Sequence, residues 1–525
     1  MTAVWLSRQW VLAKRSESAS PWQLAGDTYT QLRARLETAS IPHVVLSRSA
    51  YQPYMVAVAD TDWHRLGAAL ADTEEDQTLY VEGTTRTRRG RLSTSLAEPG
   101  SSYAKQMIAA STVVTVWSPT IDPGSGRVYG DERRCVIQRW TQTGDQLRSP
   151  APNPAAEYVQ ASLLRAAVDQ ENGAGVIERR LPSDPLPHID EVGFPIDLVY
   201  MWVDGSDPDW RHRFEERTAH THDGTAAGSP GETTKTPDAI APWRFRDQDE
   251  LLYSLRSVEM YAPWIRHVHL VTDHQLPRWL NTEHPKIRVH FHDEIFADPS
   301  ALPVFNSHAI GTQLHHIEGL AEHYLYMNDD VLFGGIVEPE HFFTASGIAR
   351  IRRSKTSSPI VPFDALSEIE AARFNSARLI EQRHGVRPTS LFGHTPIPQV
   401  RSVAMQLEAA FPDAFDRTMR SVVRAKTDIE PNSWLHLNEL LATGRAVESH
   451  VPYGYFLLGT ATGRERLSHA LKTGSAHVLC LNDSASEDGK DYATWLRRQL
   501  DRAYPHMSTF ELPAHRCRSF VTTRG

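Results

Sequence analysis

The chain has 525 residues, 40% of them hydrophobic and 23% charged, with a formal net charge of -9 and a pI near 6.3. That length predicts two or three domains, and the charge balance excludes the basic face of a nucleic-acid-binding protein. Three widely separated cysteines, Cys135, Cys480 and Cys517, fit neither a disulfide framework nor a zinc site and suit a reducing compartment.

The polar N-terminus and the lack of a long apolar run predict a cytoplasmic protein. Peripheral contact with the inner face of the membrane or with partner proteins stays open, as does oligomer formation. From the start of the chain, residues 41–46 and 54–58 read as strands. Residues 62–70 and 160–168 read as helices. β-rich runs follow at 112–117 and 134–140, and residues 144–153 read as a loop. Together these predict an α+β accessory domain over residues 1–190, with no chemical constellation in it. Residues 182–187, PSDPLP, read as the linker. Basic clusters at 86–89 and 350–353 read as solvated faces.

The run from Ile196 to Val203 is rich in β-formers and closes at Asp204-Gly205-Ser206-Asp207-Pro208. A buried parallel strand ending in small and acidic residues is where open α/β sheets place ligands. Residues 220–237 read as a mobile loop. Asp247, with Glu250 three residues on, reads as a capping box for a helix through Leu251, Leu255 and Val258. Strands are expected at 267–272 and 286–291. A helix capped by Ser307 follows, with Ile310, Leu314, Ile317 and Ala321 as its apolar face and His308 and His315 turned outward. Tyr324 to Gly334 is another apolar run, broken by Asn328-Asp329-Asp330. Adjacent carboxylates at a strand end repel each other unless a cation compensates, and such oxygen ligands suit Mg²⁺ or Mn²⁺. Residues 336–390 read as an insertion. A last apolar strand closes at Asn482-Asp483. This alternation predicts an α/β fold with a mostly parallel sheet over 191–525.

The motifs are more specific than any one of these signals. IDLVYMWVDGSDP (196–208) and the run 244–281 resemble the first two signature regions of the Stealth family. LPVFNSHAI (302–310), YLYMNDDVLFG (324–334), HTPIPQVRSV (394–403), FPDAFDRT (411–418) and residues 424–428 extend the resemblance. Stealth proteins are hexose-1-phosphate transferases of bacterial capsule synthesis, related to the catalytic subunit of lysosomal-enzyme GlcNAc-1-phosphotransferase. The resemblance implies a glycosyltransferase-A-like Rossmann core, a UDP-sugar donor and a glycan or polysaccharide acceptor. It implies that Trp202, Val203, Asp204, Gly205, Ser206, Asn306 and Asn328 border the nucleotide-sugar, with Arg244 and Arg246 on its phosphates.

The chemistry then has candidates. Asp330, with Asp329, Asn482 and Asp483, is expected to hold the metal. Arg424 would clamp phosphate oxygens. His308, His394 or an aspartate would take the proton from the acceptor hydroxyl. Attack on the phosphorus that bears the sugar oxygen would release UMP. Release of UDP would instead mark an ordinary metal-dependent glycosyltransferase, and binding without turnover a decayed nucleotide-sugar or glycan-binding protein. One departure stands out: many relatives carry Glu where this chain has Gly311. His316 and Leu252 likewise replace arginines.

Overall fold

In the computed structural model the chain forms two compact units. One is Met1–Glu191 with Asp501–His506, the other Val192–Leu500 with Met507–Gly525. The structure describes residues 1–513 except 7–8, 17–19, 47–53, 72–78, 87–91, 98–100, 124–125, 131–133, 152, 154, 167–177, 181–187, 220–237 and 483–488. The expected linker at 182–187, the loop at 220–237, most of the basic cluster at 86–89, Asp483 and Cys517 therefore lie outside the described residues. No described helix is long and apolar enough to cross a membrane.

The first unit is built on a mixed sheet. Its strand Cys135–Thr143 runs parallel to Met55–Ala59 and antiparallel to Val113–Trp117. Helices Pro21–Thr38, Asp60–Ala71 and Ser102–Ala110 bury Leu32, Leu36, Trp63, Leu66 and Met107 on that sheet. Over the described part of the helix expected at 160–168 there is only a 3₁₀ turn at Ala161–Leu163, followed by a short strand at Arg165–Ala166. Tyr158–Gln160 pairs with Gln146–Arg148 instead, and the Asp145 carboxylate accepts the Ser162 amide at 2.9 Å. Of the loop expected at 144–153, the first part is a hairpin between Cys135–Thr143 and Gln146–Arg148 that turns at Gly144, whose φ of +60° favours glycine, and the described residues from 149 to 153 carry no strand or helix.

In the second unit we number the strands that frame the site. They are β1 (Ile196–Met201), β2 (Val268–Thr272), β3 (Ile287–Phe291), β4 (His323–Tyr326), β5 (Val331–Phe333), β6 (Ile397–Val400), β7 (Tyr453–Leu457) and β8 (Val478–Asn482). The main sheet has the order β3-β2-β1-β4-β6, parallel except for β6. It is an α/β fold with a mostly parallel sheet. A second sheet, β5-β8-β7, starts directly after Asp330. Val199, Val271 and Tyr324 meet Ile295, Leu314, Ile317 and Leu320 in the core on one face. Helix Glu250–Tyr261 ties the two sheets. Its Ser254 hydroxyl meets Tyr200 on β1 at 2.7 Å and donates to the Val331 carbonyl on β5 at 2.7 Å.

Two local expectations are corrected. Helix Glu250–Tyr261 has Asp249 as its N-cap, in a left-handed conformation (φ 65°), so Asp247 does not cap it. Glu250 instead accepts the Gln248 amide at 2.6 Å. The helix after residue 306 is also shorter than its apolar periodicity suggests. It spans Ser307–Gly311 and gives way to a 3₁₀ turn at Leu314–His316. Asn306, not Ser307, caps it by accepting the His308 amide at 3.0 Å. His308 and His315, expected to face outward, are both buried.

Candidate active site

In the order β3-β2-β1-β4 the chain reverses direction between β1 and β4, and the crevice beyond their carboxyl ends is where such sheets bind ligands. Here β1 delivers Trp202 and Val203, while β4 delivers Asn328, Asp329 and Asp330. A cavity of about 330 Å³ opens between them. Phe245 and Phe305 pack on Trp210 in its wall, with ring centroids 5.0 and 5.2 Å away.

The Asp204-Gly205-Ser206 turn supports this wall from behind. Gln275 clamps the Asp204 backbone by two hydrogen bonds, of 3.0 and 2.9 Å, and the Asp204 side chain accepts the Ser206 amide at 2.8 Å. Gly205 donates its amide to the Phe245 carbonyl at 2.6 Å, and a Cβ there would lie 2.6 Å from the same oxygen. This close approach sets the Pro242–Phe245 turn so that Arg244 and Arg246 line the cavity.

The cavity floor is acidic. Burial pushes Asp329 up to about 6, and burial plus the charge of Asp329 pushes Asp330 up to about 7. Asp247 rises to about 6 from burial and then from Asp329 and Asp204. Glu250 rises to about 8, again from burial and then Asp329. Carboxylates crowded in this way want a counter-charge. Among the described residues, Asp330 Oδ1 is buried without a hydrogen-bond partner. An oxygen-rich, charge-starved floor with an orphaned carboxylate oxygen fits a hard divalent cation. Asn482, at the end of β8, lines the same cavity.

A second cavity, of about 250 Å³, adjoins the first and shares Ser307, Tyr326, Asn328 and Arg424 with it. The Arg424 guanidinium donates to the Ser307 hydroxyl at 2.7 Å at this junction. The Tyr326 hydroxyl donates to Asn328 Oδ1 at 2.8 Å. His308 and His394 line the second cavity. His308 is buried, which lowers its pKa and leaves it neutral near pH 7, while Asp428 Oδ2 stands 3.5 Å from its Nδ1. A carboxylate behind a neutral imidazole favours the tautomer whose other nitrogen is free to accept a proton. Burial lowers the pKa of the His394 imidazole, whose ring lies 5.3 Å from that of Tyr455, and the His394 amide donates to the Tyr453 hydroxyl at 3.1 Å.

These geometries meet clear sequence relatives. The model described as Stealth protein CR1, conserved region 1, matches residues 194–219, and that of Stealth protein CR2, conserved region 2, matches 244–351. Exopolysaccharide phosphotransferase SCO6023 of Streptomyces coelicolor is 37% identical over 497 residues, covering 91% of this chain and 80% of its own. The chain belongs to the Stealth family. Exopolysaccharide phosphotransferase CpsY of Mycobacterium tuberculosis is 33% identical over 485 residues, covering 91% of this chain and 86% of its own. This Stealth protein is accordingly an enzyme of the phosphotransferase class. The WbbM bifunctional glycosyltransferase structure aligns over 62% of this chain and 54% of its own, at TM-score 0.28 and 9% identity, a likeness too remote to carry weight.

Most of the expected site residues of the Stealth protein converge on the two cavities. Asp329, Asp330, Asn328, Trp202, Val203, Arg244, Arg246 and Asn482 line the first, His308 and His394 the second, and Arg424 both. Asp204, Gly205 and Ser206 stand behind the wall. Asn306 is fully buried beneath it, donating to Asp428 at 2.8 Å. Asp483 lies outside the described residues.

Four further residues enter the site. Asp247 and Glu250 stand close enough to the floor to feel the charge of Asp329. Arg373 and Glu430, 2.9 Å apart, line the second cavity. Gly311 faces Pro431 and Asn432 of that cavity's wall, not the acidic floor. The pattern Asp-x-x-Glu at 247–250 was the only signal in the sequence for the first pair.

Proposed function

We propose that this enzyme transfers a sugar-1-phosphate, of GlcNAc or another hexose, from a UDP-sugar to a hydroxyl of a glycan or polysaccharide, releasing UMP. The observation that carries the reading is the pairing of two cavities across Arg424 and Ser307. One offers aromatic walls, arginines and an acidic floor, which suits a nucleoside diphosphate with its cation. The other offers neutral histidines, which suits a hydroxyl that must lose a proton. The names of the relatives support an exopolysaccharide acceptor, and the strand order supports a glycosyltransferase-A-like core.

The acceptor oxygen attacks the phosphorus that carries the sugar oxygen. A new P–O bond forms, the bond to the bridging diphosphate oxygen breaks, and UMP leaves with those electrons. Phosphoryl transfer of this kind depends mainly on positioning and charge stabilisation. A bound Mg²⁺ or Mn²⁺ would neutralise charge on the leaving phosphate, held by Asp330 and Asp329 with Asn482 alongside. Arg424, at the junction, is placed to orient the transferred phosphate. His308, with Asp428 behind it, takes the hydroxyl proton, and His394 is the second residue able to do so.

Product analysis tests this. Purified protein is incubated with Mg²⁺, a panel of UDP-sugars and short glycan acceptors. UMP with an acid-labile phosphodiester product is expected. UDP release would move the enzyme to the ordinary glycosyltransferases and overturn the proposal.

A further inference from the structure

Away from both cavities, two histidines and a glutamate converge on one point. The 3₁₀ turn Leu314–His316 presents His315 and His316, and the helix Arg401–Ala410 presents Glu408. His315 Nε2 lies 2.8 Å and His316 Nε2 2.9 Å from the same oxygen, Glu408 Oε2. The three ligand atoms all lie within 4.8 Å of one another. None of the three residues lines either cavity of the active site.

We propose that His315, His316 and Glu408 form a second metal site, for a transition-metal dication of the zinc type. The hydrogen-bond pattern points this way. His316 Nδ1 lies 3.3 Å from the Ile295 carbonyl, which can only accept. That contact therefore places the proton on Nδ1 and leaves the neutral ring with its Nε2 lone pair facing a carboxylate oxygen. A proton relieves this in the metal-free protein, where Glu408 raises the His316 pKa, and a cation that displaces that proton relieves it equally. A histidine fixed by Nδ1–H to a backbone carbonyl, with Nε2 free, is the usual arrangement of a metal ligand. Two imidazoles and one carboxylate select zinc, cobalt or nickel over the magnesium suited to the all-oxygen floor.

Access and fit agree. His315 is buried, but the His316 and Glu408 side chains are 27% and 30% exposed, so water can complete the coordination. Metal–ligand bonds of ~2.1 Å put tetrahedral ligand atoms roughly 3.4 Å apart. Glu408, near the surface, needs to retreat only slightly. One charge opposes binding: Arg401 donates to the His315 carbonyl at 2.8 Å. The nearby His436 is buried and committed to the Val400 amide at 3.0 Å. The other comparable cluster, Asp197 with His267 and His269, is already filled by the Arg266 guanidinium, which donates twice to Asp197. A metal on Glu408 would clasp the turn that follows Ser307 and His308 to the helix that follows β6.

Cobalt titration of the tag-free protein in excess Mg²⁺ tests the site, read by Co²⁺ d–d absorption bands and by Tm. The wild type is expected to develop the bands and gain Tm with Zn²⁺. Asp330→Asn should behave in the same way, because its lesion lies in the other site. Glu408→Gln and His316→Arg should each weaken cobalt binding at least tenfold. The arginine keeps a cation opposite Glu408, so that variant stays folded. No bands with millimolar cobalt, unchanged binding in His316→Arg, or loss of the bands in Asp330→Asn alone would each overturn the proposal.

Discussion

The Cys480 thiol donates to Asp330 Oδ2 across 3.7 Å. Burial and the neighbouring carboxylate raise the thiol's pKa well above its usual value, so it stays a donor and never competes as an anion. One oxygen of Asp330 is thereby held from behind by β8 while the other, Oδ1, is left for a cation. Asp330→Asn removes the charge but keeps the shape. Turnover should fall roughly 10²–10³-fold, the scale for losing one group that stabilises transition-state charge. The fold should survive, with an unchanged Tm or a higher one at pH 8, since a crowded buried carboxylate is gone. Wild-type kcat in this variant would sink the metal assignment.

The same crowding sets a pH dependence. The pKa values of Asp329, Asp330, Asp247 and Glu250 are all raised in the folded protein, to between about 6 and about 8. Over the window from the ordinary carboxylate value near 4 up to about 8, the folded state holds more protons than the unfolded chain. Stability of the metal-free enzyme from these groups is therefore full below pH 4 and lost as pH rises through the folded values. Divalent-cation affinity should run the other way, rising over pH 6–8 as bound protons are displaced. Thermal melts with EDTA and with Mg²⁺ at pH 5, 6, 7 and 8 check both slopes. The gap between the two melting curves should widen with pH.

What was legible in the sequence follows from how local each signal is. An apolar run cut by acids, as at Val203-Asp204 and Met327-Asn328-Asp329, marks a strand end because the backbone and side-chain signals coincide within a few residues. Glu250 was hidden because Asp-x-x-Glu is also what a capping box looks like, and only the left-handed Asp249 excludes that use. Arg373 and Glu430 are 57 positions apart and become a pair only when helix Glu368–His384 packs beside the Pro431–Leu435 turn. His308 and His315 looked solvent-facing because the periodicity assumed an unbroken helix. The 3₁₀ turn at Leu314 changes the phase of His315, while His308, still on the α-helical part, is buried beside Asp428.

In the proposed reaction Asp428, 3.5 Å from His308 Nδ1, would act through His308. It also accepts from Asn306 and from the Ala425 amide, so its position is fixed independently of the imidazole. Asp428→Asn should lower kcat by roughly 10²-fold or more while leaving donor affinity near the wild-type value, the pattern of a lost proton-transfer arrangement. His394→Ala provides the comparison. If His394 is the base, it loses turnover far more than donor affinity and Asp428→Asn has little effect. Equal losses in turnover and binding for His394→Ala would assign that residue to binding. Calorimetric titration with a UDP-sugar beside steady-state kinetics separates these cases.

Gly311 abuts the wall of the second cavity. A Cβ at this position would lie 2.5 Å from Asn432 Nδ2, the movable end of a side chain, and 3.1 Å from Pro431 Cγ, so a side chain as large as glutamate pushes on the turn that walls the cavity. Gly311→Glu should raise the acceptor KM by roughly tenfold or more, since a displacement near 1 Å is costly in an oriented site. Donor affinity should be unchanged, because Asn432 lies outside the first cavity. Equal damage to donor affinity would mean that residue 311 acts on the acidic floor instead.

Gly205 is the counterpart for the donor side. Its Cβ would meet Phe245 backbone oxygen at 2.6 Å and Phe245 Cβ at 2.7 Å. A backbone contact cannot yield by a rotamer change, so Gly205→Ala must move either β1's exit or the Pro242–Phe245 turn. That turn carries Arg244, and Arg246 follows it directly. The variant should lose about 1–3 kcal/mol of stability, the usual cost of overpacking. Its UDP-sugar affinity should fall more steeply than that of Arg246→Ala alone, because both arginines move together. Denaturant melts and donor titrations of the two variants make the comparison. Equal donor affinities would show that the turn does not position the arginines.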